Sequence, residues 1–373
     1  MIQTRDQQAS YEDYPICEIR IPTYKRPQSL RRALESLQKQ TYSFWRAIVL
    51  DNSPEQEAKE VVTALKDPRI LYYPHPHNIG GAKNIDLALQ SKSILGGKYA
   101  CSLEDDNYLF PDCIQENIEI LRREKVSILL RNQEVRVDRE DGTSQPTGET
   151  TRGQWFNRGI YSPLELYASM FFCEGLSNGG LFWDTETIKT DFTLGNFCIK
   201  DGWYQEIFRT LRVVEPIYFE PNVGSGYTIL RSYRAAGRGS KLPRFLATPA
   251  KNNRATQAIL RYMLRVYGRE LVDKAKVIAR SSDQNLKALE YQLLNALYIN
   301  YRFQRIPLLG RMLLLCKNAF RRLLSGTQFY PALKGMPWPS NYPILLELEL
   351  RTTKHRMQED KYRMQEEQPL LSH

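Results

Sequence analysis

Apolar residues recur along the first 130 positions in two alternating rhythms, short continuous runs and stripes of helical period. Ile16–Ile21 is a β-rich run that ends in the turn-forming stretch Pro22-Thr23-Tyr24-Lys25-Arg26-Pro27. Leu30, Ala33, Leu34 and Leu37 then fall at i, i+3, i+4 and i+7, with Arg31, Arg32, Glu35 and Lys39 off the stripe, which predicts a helix with one buried face. Arg46–Leu50 reads as a second buried strand, cut off by Asp51-Asn52-Ser53-Pro54. Ser53 is placed to cap a helix opened by Pro54 and carrying Ala58, Val61, Val62 and Leu65. A strand at Ile70–Tyr73, a Pro/His loop, a helix from about Gly81 to Ser91 and a strand at Tyr99–Leu103 follow. After Glu104-Asp105-Asp106, the stripe Cys113, Ile114, Ile118 and Leu121 marks a helix, and Val126–Leu130 another strand.

Successive strand-then-helix units of this kind predict an α/β fold with a mostly parallel sheet flanked by helices. Ligands of such sheets bind outside the carboxyl ends of the strands. The polar residues at those ends are Thr23, Asp51, Asn52 and the triplet Glu104-Asp105-Asp106. Beyond them, Asn132–Gly159 is polar and rich in Gly, Thr and Arg, as loops or an irregular hairpin would be. Further strand or helix signals come at Pro163–Met170, Gly180–Trp183, Asp201–Leu211 and Val213–Phe219.

Charge divides the chain. The 373 residues carry a net +10, yet Ile229–Ser325 alone holds 20 Lys or Arg against 4 acids, a net of +16, leaving −6 for the rest. The basic excess is therefore regional. Met1–Tyr14 carries Arg5, Asp6, Glu12 and Asp13 where a secretory leader would place a basic start and an apolar core, so a cytoplasmic protein is expected. No apolar run reaches the ~20 residues that span a bilayer. Pro307–Leu324 mixes leucines with Arg311, Lys317, Arg321 and Arg322, a pattern that suits a core helix or an interfacial one lying on the anionic inner face of the cell membrane. The six cysteines form no Cys-x-x-Cys pair and read as buried thiols.

Three adjacent acids after an apolar strand repel one another and call for a cation. Hard oxygen ligands of this kind suit Mg²⁺ or Mn²⁺, held by one or two carboxylates together with substrate phosphates. A solvated acidic turn is the plain alternative. With His75 and His77 in one proline-rich loop and the other two histidines in the tail, Ser-His-Asp, Cys-His and zinc sites lack partners. No Gly-x-Gly-x-x-Gly follows the first strand and no Walker lysine is present.

Ile21-Pro22-Thr23-Tyr24-Lys25-Arg26, Leu50-Asp51-Asn52-Ser53, Asn78-Ile79-Gly80-Gly81-Ala82-Lys83-Asn84 and Leu103-Glu104-Asp105-Asp106, in this order and spacing, resemble family 2 glycosyltransferases of the GT-A fold. The resemblance covers roughly Pro15–Phe219. It departs at Glu104, where the family's triplet usually opens with Asp, and in lacking the Gln-x-x-Arg-Trp motif of processive members.

The resemblance implies a donor site of Pro22, Thr23, Tyr24, Arg26, Asp51, Asn52, Asn78, Gly80, Gly81, Lys83, Asn84, Glu104 and Asp105. Thr23 and Asp51 would meet the base, Lys83 and Asn84 would lie beside the nucleotide, and Glu104 and Asp105 would face the ribose or sugar. Asp106 would ligate a divalent cation, Mn²⁺ or Mg²⁺. Asp51 would accept a hydrogen bond from a uracil or thymine N–H, which cytosine cannot supply in the same way, and a UDP-sugar is favoured. The family's general base maps to Asp201 in Lys200-Asp201-Gly202-Trp203-Tyr204, with Lys200 replacing the usual preceding acid and Glu174 as the reserve. Asn178, Gly179, Gly180 and Trp203 would shape the sugar or acceptor pocket, and Arg231 and Arg234 could close over the diphosphate as a lid.

These readings divide the chain into an arm (1–14), a catalytic domain (15–228, with a donor half to about 107 and an acceptor half from about 108), a basic lid or linker (229–251), a basic helical region (252–344) and a charged helical tail (345–373). The expected activity is inverting, metal-dependent transfer of one sugar to an acceptor hydroxyl on a glycan, a lipid-linked intermediate or a protein. The alternative is a non-catalytic nucleotide-sugar-binding protein that docks on a membrane or nucleic acid, although no nucleic-acid motif accompanies the basic residues and none is expected as partner.

Overall fold

The computed structural model describes residues 14–138, 143–173, 175–195, 202–229 and 254–279, with isolated positions at 286, 289 and 293. Two compact units are separated at Pro243 and Arg244. In the first, chain order runs β1 (Cys17–Thr23), α1 (Pro27–Gln38), β2 (Trp45–Asp51), α2 (Ala58–Leu65), β3 (Ile70–Pro74), α3 (Gly81–Ala88), β4 (Tyr99–Ser102), β5 (Tyr108–Leu109) and α4 (Cys113–Glu124). It continues with β6 (Ile128–Asp138), β7 (Ser144–Thr150), β8 (Gly159–Tyr161), α5 (Pro163–Ser169), a 3₁₀ turn at Asn178–Gly180, β9 (Leu181–Asp184), α6 (Gly202–Arg212) and β10 (Ile217–Ile229).

The sheet order is β3-β2-β1-β4-β9-β6-β10-β5, with β7 paired to β6 and β8 to β10. β3, β2, β1 and β4 are parallel neighbours, as strand-then-helix alternation predicts. β9 runs antiparallel between β4 and β6, so β6 and its parallel neighbour β10 point the same way as β4. Six of the eight strands on this path therefore share one direction.

The periodic stripes are buried as expected: Leu30, Ala33, Leu34 and Leu37 of α1 pack with Cys17, Ile19 and Ile21 of β1, and with Ile114, Ile118 and Leu121 of α4, in one apolar cluster. Pro27 starts α1, and Ser162 caps α5 with Glu165 closing the reciprocal bond. Three boundaries differ from the sequence reading. α2 begins at Ala58, because the Ser53 hydroxyl is used elsewhere, accepting from Lys25 N at 2.8 Å. α3 stops at Ala88. The strand expected to end at Leu130 continues for another eight residues: β6 runs on to Asp138 and forms with β7 a hairpin whose register shifts between Glu134 and Arg136, the irregular hairpin that is one of the two readings of this polar stretch.

β1 is buried on both faces, and its second face carries charge. Glu18 accepts from Arg20 Nη2 at 2.8 Å, Gly97 N at 2.7 Å, Leu95 N at 2.6 Å, Ile94 N at 3.1 Å and the Ser93 hydroxyl. Arg20 in turn donates to the Lys92 carbonyl at 2.8 Å and to that of Gln90, with its guanidinium 5.5 Å from the Trp183 ring centroid. The pair thus pins the chain between α3 and β4.

In the second unit, α7 (Arg254–Ala279) is two helical segments joined at Gly268, whose φ of 54° and ψ of −130° break the helix. Leu260, Met263, Leu271, Ala275 and Ile278 are its buried stripe. Among the described residues no helix is long and apolar enough to cross a membrane. The arm up to residue 13, the lid arginines Arg231 and Arg234, Pro307–Leu324 and the tail lie outside the described residues, as do Asp201 and Glu174.

Burial alone would raise the Glu18 carboxyl, but the bonds from Ser93, Gly97, Arg20 and Ile94 hold it below its ordinary value. Its contribution to stability is therefore complete above the ordinary carboxylate range and is lost as pH falls through the lowered native value. Arg20→Ala, which strands a buried carboxylate, should cost about 3–5 kcal/mol in urea unfolding at pH 7. Between pH 5 and 3, roughly the carboxylate range, unfolding midpoints should fall less steeply for Glu18→Gln than for the parent.

Candidate functional site

Parallel pairing brings the carboxyl ends of β1, β2 and β3 level, with Thr23 opposite Asp51 and Asp51 opposite Pro74. β4 pairs Ser102 with Arg20, and Leu103 N continues the ladder to Arg20 O at 3.0 Å, so the acidic triplet is laid along the end of β1. Thr23 Oγ1 donates to Asp105 Oδ2 at 2.8 Å, and Tyr24 N to the same oxygen at 3.3 Å. Arg26 Nη1 lies 3.2 Å from Asp105 Oδ1 and 2.7 Å from Asp106 Oδ2.

Arg32, on the polar side of the α1 stripe in sequence, donates to the Asp106 carbonyl at 2.8 Å and pairs with Asp138 at 2.7 Å. Asn107 links Glu104, through a 2.8 Å bond to Oε2, with Thr228 N of β10 at 2.8 Å.

The three acids differ in setting. Asp105 is buried, and desolvation with the Asp106 charge pushes it up to about 6 despite Arg26 and Thr23. Glu104, pushed up to about 8, feels desolvation first, then Asp106, Glu206 and Asp105. Burial also raises Asp106, against the pull of Arg26 and Arg32. A divalent cation fits this donor set, since it would offset the buried charge of three neighbouring carboxylates. Among the described residues no group of three His, Cys, Asp or Glu side chains forms a metal cage. A cation held at Asp106 would draw its other ligands from water and substrate oxygens.

A second polar cluster is assembled from β2, β3 and α3. Buried Asp51 accepts from Ser53 N at 2.9 Å and from the Tyr72 hydroxyl at 3.0 Å. Asn52 and Asn78 bond each other at 2.8 Å and hold Ile79 N and Gly80 N, which shapes the approach to α3. Gly80 enters that helix at φ 86°, a conformation that strains other residues. Asn84 is buried, donating to the Leu50 carbonyl at 2.9 Å and lying 2.9 Å from His75 Nε2. Lys83, exposed on the first turn of α3, makes no ion pair among the described residues.

The other wall is braced from α6. Asn178 N donates to Glu206 Oε1 at 2.9 Å, and its side-chain oxygen accepts from Arg209 at 3.3 Å, so much of its polar capacity is spent on the fold. Arg209 is fully buried and reaches Asp86 of α3 at 3.0 Å, while Arg152 joins Glu206 at 3.1 Å and holds the carbonyls of Gly175 and Leu176. Gly179 covers Gln133, a buried side chain whose Nε2 has no hydrogen-bond partner among the described residues. Trp203 falls in α6 and Asp201 immediately before it in the chain.

The structure thus brings Thr23, Tyr24, Arg26, Glu104, Asp105 and Asp106 together, and sets Asp51, Asn52, Asn78, Gly80, Lys83 and Asn84 around the ends of β2 and β3. Sequence reading missed Arg32, Tyr72, Asn107, Gln133, Arg152, Glu206 and Arg209. Only Glu206 and Arg209 carried a signal, as polar positions on a helix already suspected of functional use.

Residues 18–175 match the family described as Glycosyl transferase family 2. The chain is 32% identical over 102 residues to the putative colanic acid biosynthesis glycosyl transferase WcaA of Escherichia coli K12, a match covering 26% of this chain and 35% of that protein. It is 23% identical over 124 residues to the UDP-Glc:alpha-D-GlcNAc-diphosphoundecaprenol beta-1,3-glucosyltransferase WfgD of E. coli, covering 33% and 47% respectively. The chain thus spans less than half the length of these relatives. Among solved structures, S. aureus TarS 1-349 is similar at 13% identity and a TM-score of 0.47, over 78% of this chain and 75% of that one.

Two glycines of the site should respond differently to substitution. A Cβ on Gly180 would lie 2.5 Å from the Arg131 carbonyl oxygen, whereas one on Gly81 meets nothing within 4 Å. Gly180→Ala should cost about 1–3 kcal/mol in urea unfolding, and Gly81→Ala, at the start of α3, should leave the midpoint unchanged or raise it.

Proposed function

We propose that this chain, whose residues 18–175 match glycosyl transferase family 2, adopts the GT-A arrangement and transfers a single sugar with inversion from a nucleotide diphosphate to an acceptor hydroxyl in polysaccharide or glycoconjugate synthesis. The observation that carries this reading is the convergence of Thr23, Asp51 and the acid triplet at the aligned carboxyl ends of β1, β2 and β4.

Asp51 is held by Tyr72 and Ser53 with carboxylate lone pairs to spare, and it would accept the uracil N–H that cytosine lacks. This favours a UDP-sugar, and the name of the WfgD relative also carries UDP-Glc. Lys83 is available to the diphosphate, and Glu104 and Asp105 to ribose or sugar hydroxyls. When bound, Mn²⁺ or Mg²⁺ neutralises charge on the departing diphosphate, and Asp106 is the residue that would hold it. Asp201, directly before α6, would take the acceptor hydroxyl's proton on a carboxylate oxygen, with Glu174 the substitute. Asn178, Gly179, Gly180 and Trp203 would shape the sugar or acceptor pocket, and Arg231 and Arg234 would cover the diphosphate.

The acceptor is a glycan, a lipid-linked intermediate or a protein. A cytoplasmic chain whose +16 segment rests on the anionic inner face of the membrane suits the second of these.

A panel of nucleotide sugars with Mn²⁺, read by nucleotide release, tests the reading. At least one UDP-sugar should be turned over, and Asp106→Ala should abolish the metal-dependent part. Asp201→Asn should bind donor normally in calorimetry while transfer falls about 10²–10⁴-fold. Absence of both binding and turnover across the panel would overturn the assignment.

A further inference from the structure

Arg26 holds a position that the donor-site reading does not explain. One of its nitrogens, Nη1, bridges Asp105 Oδ1 at 3.2 Å and Asp106 Oδ2 at 2.7 Å, spanning two carboxylates as a small cation would. The other oxygen of Asp105 is committed to Thr23 Oγ1 and Tyr24 N. Arg26 thus occupies the oxygen of Asp105 that Thr23 and Tyr24 leave over, together with one oxygen of Asp106. Arg32 does not compete for them, since it binds the Asp106 carbonyl and the Asp138 carboxylate.

The burial is asymmetric. The Arg26 side chain is 35% exposed, against 6% for Asp105 and 18% for Asp106. Arg26 also sits at the junction between β1 and α1, at φ −136° and ψ 56°, directly after Lys25 in the left-handed region at φ 53°. The acids are built in, whereas the arginine reaches them from a turn that borders solvent.

We infer that Arg26 is a displaceable counter-cation, which neutralises Asp105 and Asp106 in the free protein and leaves them to a divalent cation when a nucleotide diphosphate arrives to receive its guanidinium. This rests on Asp106 being the metal-holding residue of the proposed function. A divalent ion binding alone must separate the arginine from two carboxylates without giving it a new anion. With a diphosphate present, the fork gains phosphate oxygens, to which guanidinium geometry is matched. Metal and diphosphate therefore bind with positive coupling, and Arg26 is the positioning residue that links them. By reciprocity, each must tighten the other by the same factor.

The test is calorimetry of Mn²⁺ binding to the full chain, with and without UDP, for the parent, Arg26→Gln and Arg26→Lys. Arg26→Gln should bind Mn²⁺ alone more tightly, by about tenfold within the roughly 5–150-fold range of coupled sites, and its enhancement by UDP should shrink by the same factor, leaving the part that substrate oxygens on the ion supply directly. Arg26→Lys, which keeps the charge but not the fork, should stay near the parent for Mn²⁺ alone and gain less from UDP. Thermal melting confirms that the variants are folded. If Arg26→Gln binds Mn²⁺ no more tightly than the parent while Asp106→Ala abolishes binding, the counter-cation role falls and the metal assignment stands. If Asp106→Ala leaves Mn²⁺ binding intact in both backgrounds, the metal assignment falls and the role of Arg26 with it.

Discussion

Glu104, Asp105 and Asp106 follow one another just beyond a strand buried along its whole length. Carboxyl groups so placed repel one another and resist ionisation, and burial raises all three above their ordinary values. Much of the surrounding polar structure answers that repulsion. Arg26 spans the two aspartates, Arg32 secures the backbone beneath them, Thr23 donates to Asp105, and Asn107 donates to Glu104. These partners come from the β1–α1 turn, from α1 and from the residue after the triplet, so the loops around β4 are ordered by one electrostatic requirement. A site with this residual tension is poised to accept positive charge, whether from a side chain or from an ion.

The opposite wall follows a different logic. Arg209, buried on α6, reaches Asp86 on α3, and Asp86 also accepts from Leu194 N at 2.6 Å and Gly195 N at 2.9 Å. The helix that carries Lys83 and Asn84 is thereby fastened to the helix that Asp201 directly precedes in the chain. A general base functions only within hydrogen-bond reach of the proton it takes, so rigid coupling of these helices is a precondition for any role at Asp201. Glu206 and Arg152 hold the 175–178 segment between the same elements.

The parts legible in sequence are those whose cause is local. Leu30, Ala33, Leu34 and Leu37 announce α1 because burial of one helix face imposes its period, and Thr23 and Asp51 stand out because each ends an apolar run at a turn. Arg32 could not be read this way. By period it belongs to the solvent face, and only the fold brings Asp106, Asp138 and Thr228, all more than 70 residues away, within its reach. Ser53 misled for a related reason: a cap residue before a proline is a strong local signal, but a tertiary bond to Lys25 N took its hydroxyl first. The extension of β6 through a polar stretch was legible only in part: the hairpin with β7 is local and one of the two readings the composition allows, whereas the pairing with β10 joins segments about 90 residues apart in register.

Register explains why the triplet meets the β1 end as it does. Parallel pairing sets Ser102 beside Arg20, so three residues further along both chains Asp105 arrives beside Thr23, and the 2.8 Å bond between them continues the ladder beyond its last backbone rung. A slip of one residue would bring Glu104 or Asp106 to Thr23 and turn the strand's side chains to the opposite face. Such a slip is opposed by the whole of β1, whose apolar face packs on α1 and α4 and whose charged face is locked by Glu18 and Arg20 into the segment preceding β4. The buried ion pair on one side of β1 and the carboxylates at its end are therefore parts of one device. The first fixes which acid lies against Thr23, and that choice decides which two carboxylate edges face Arg26.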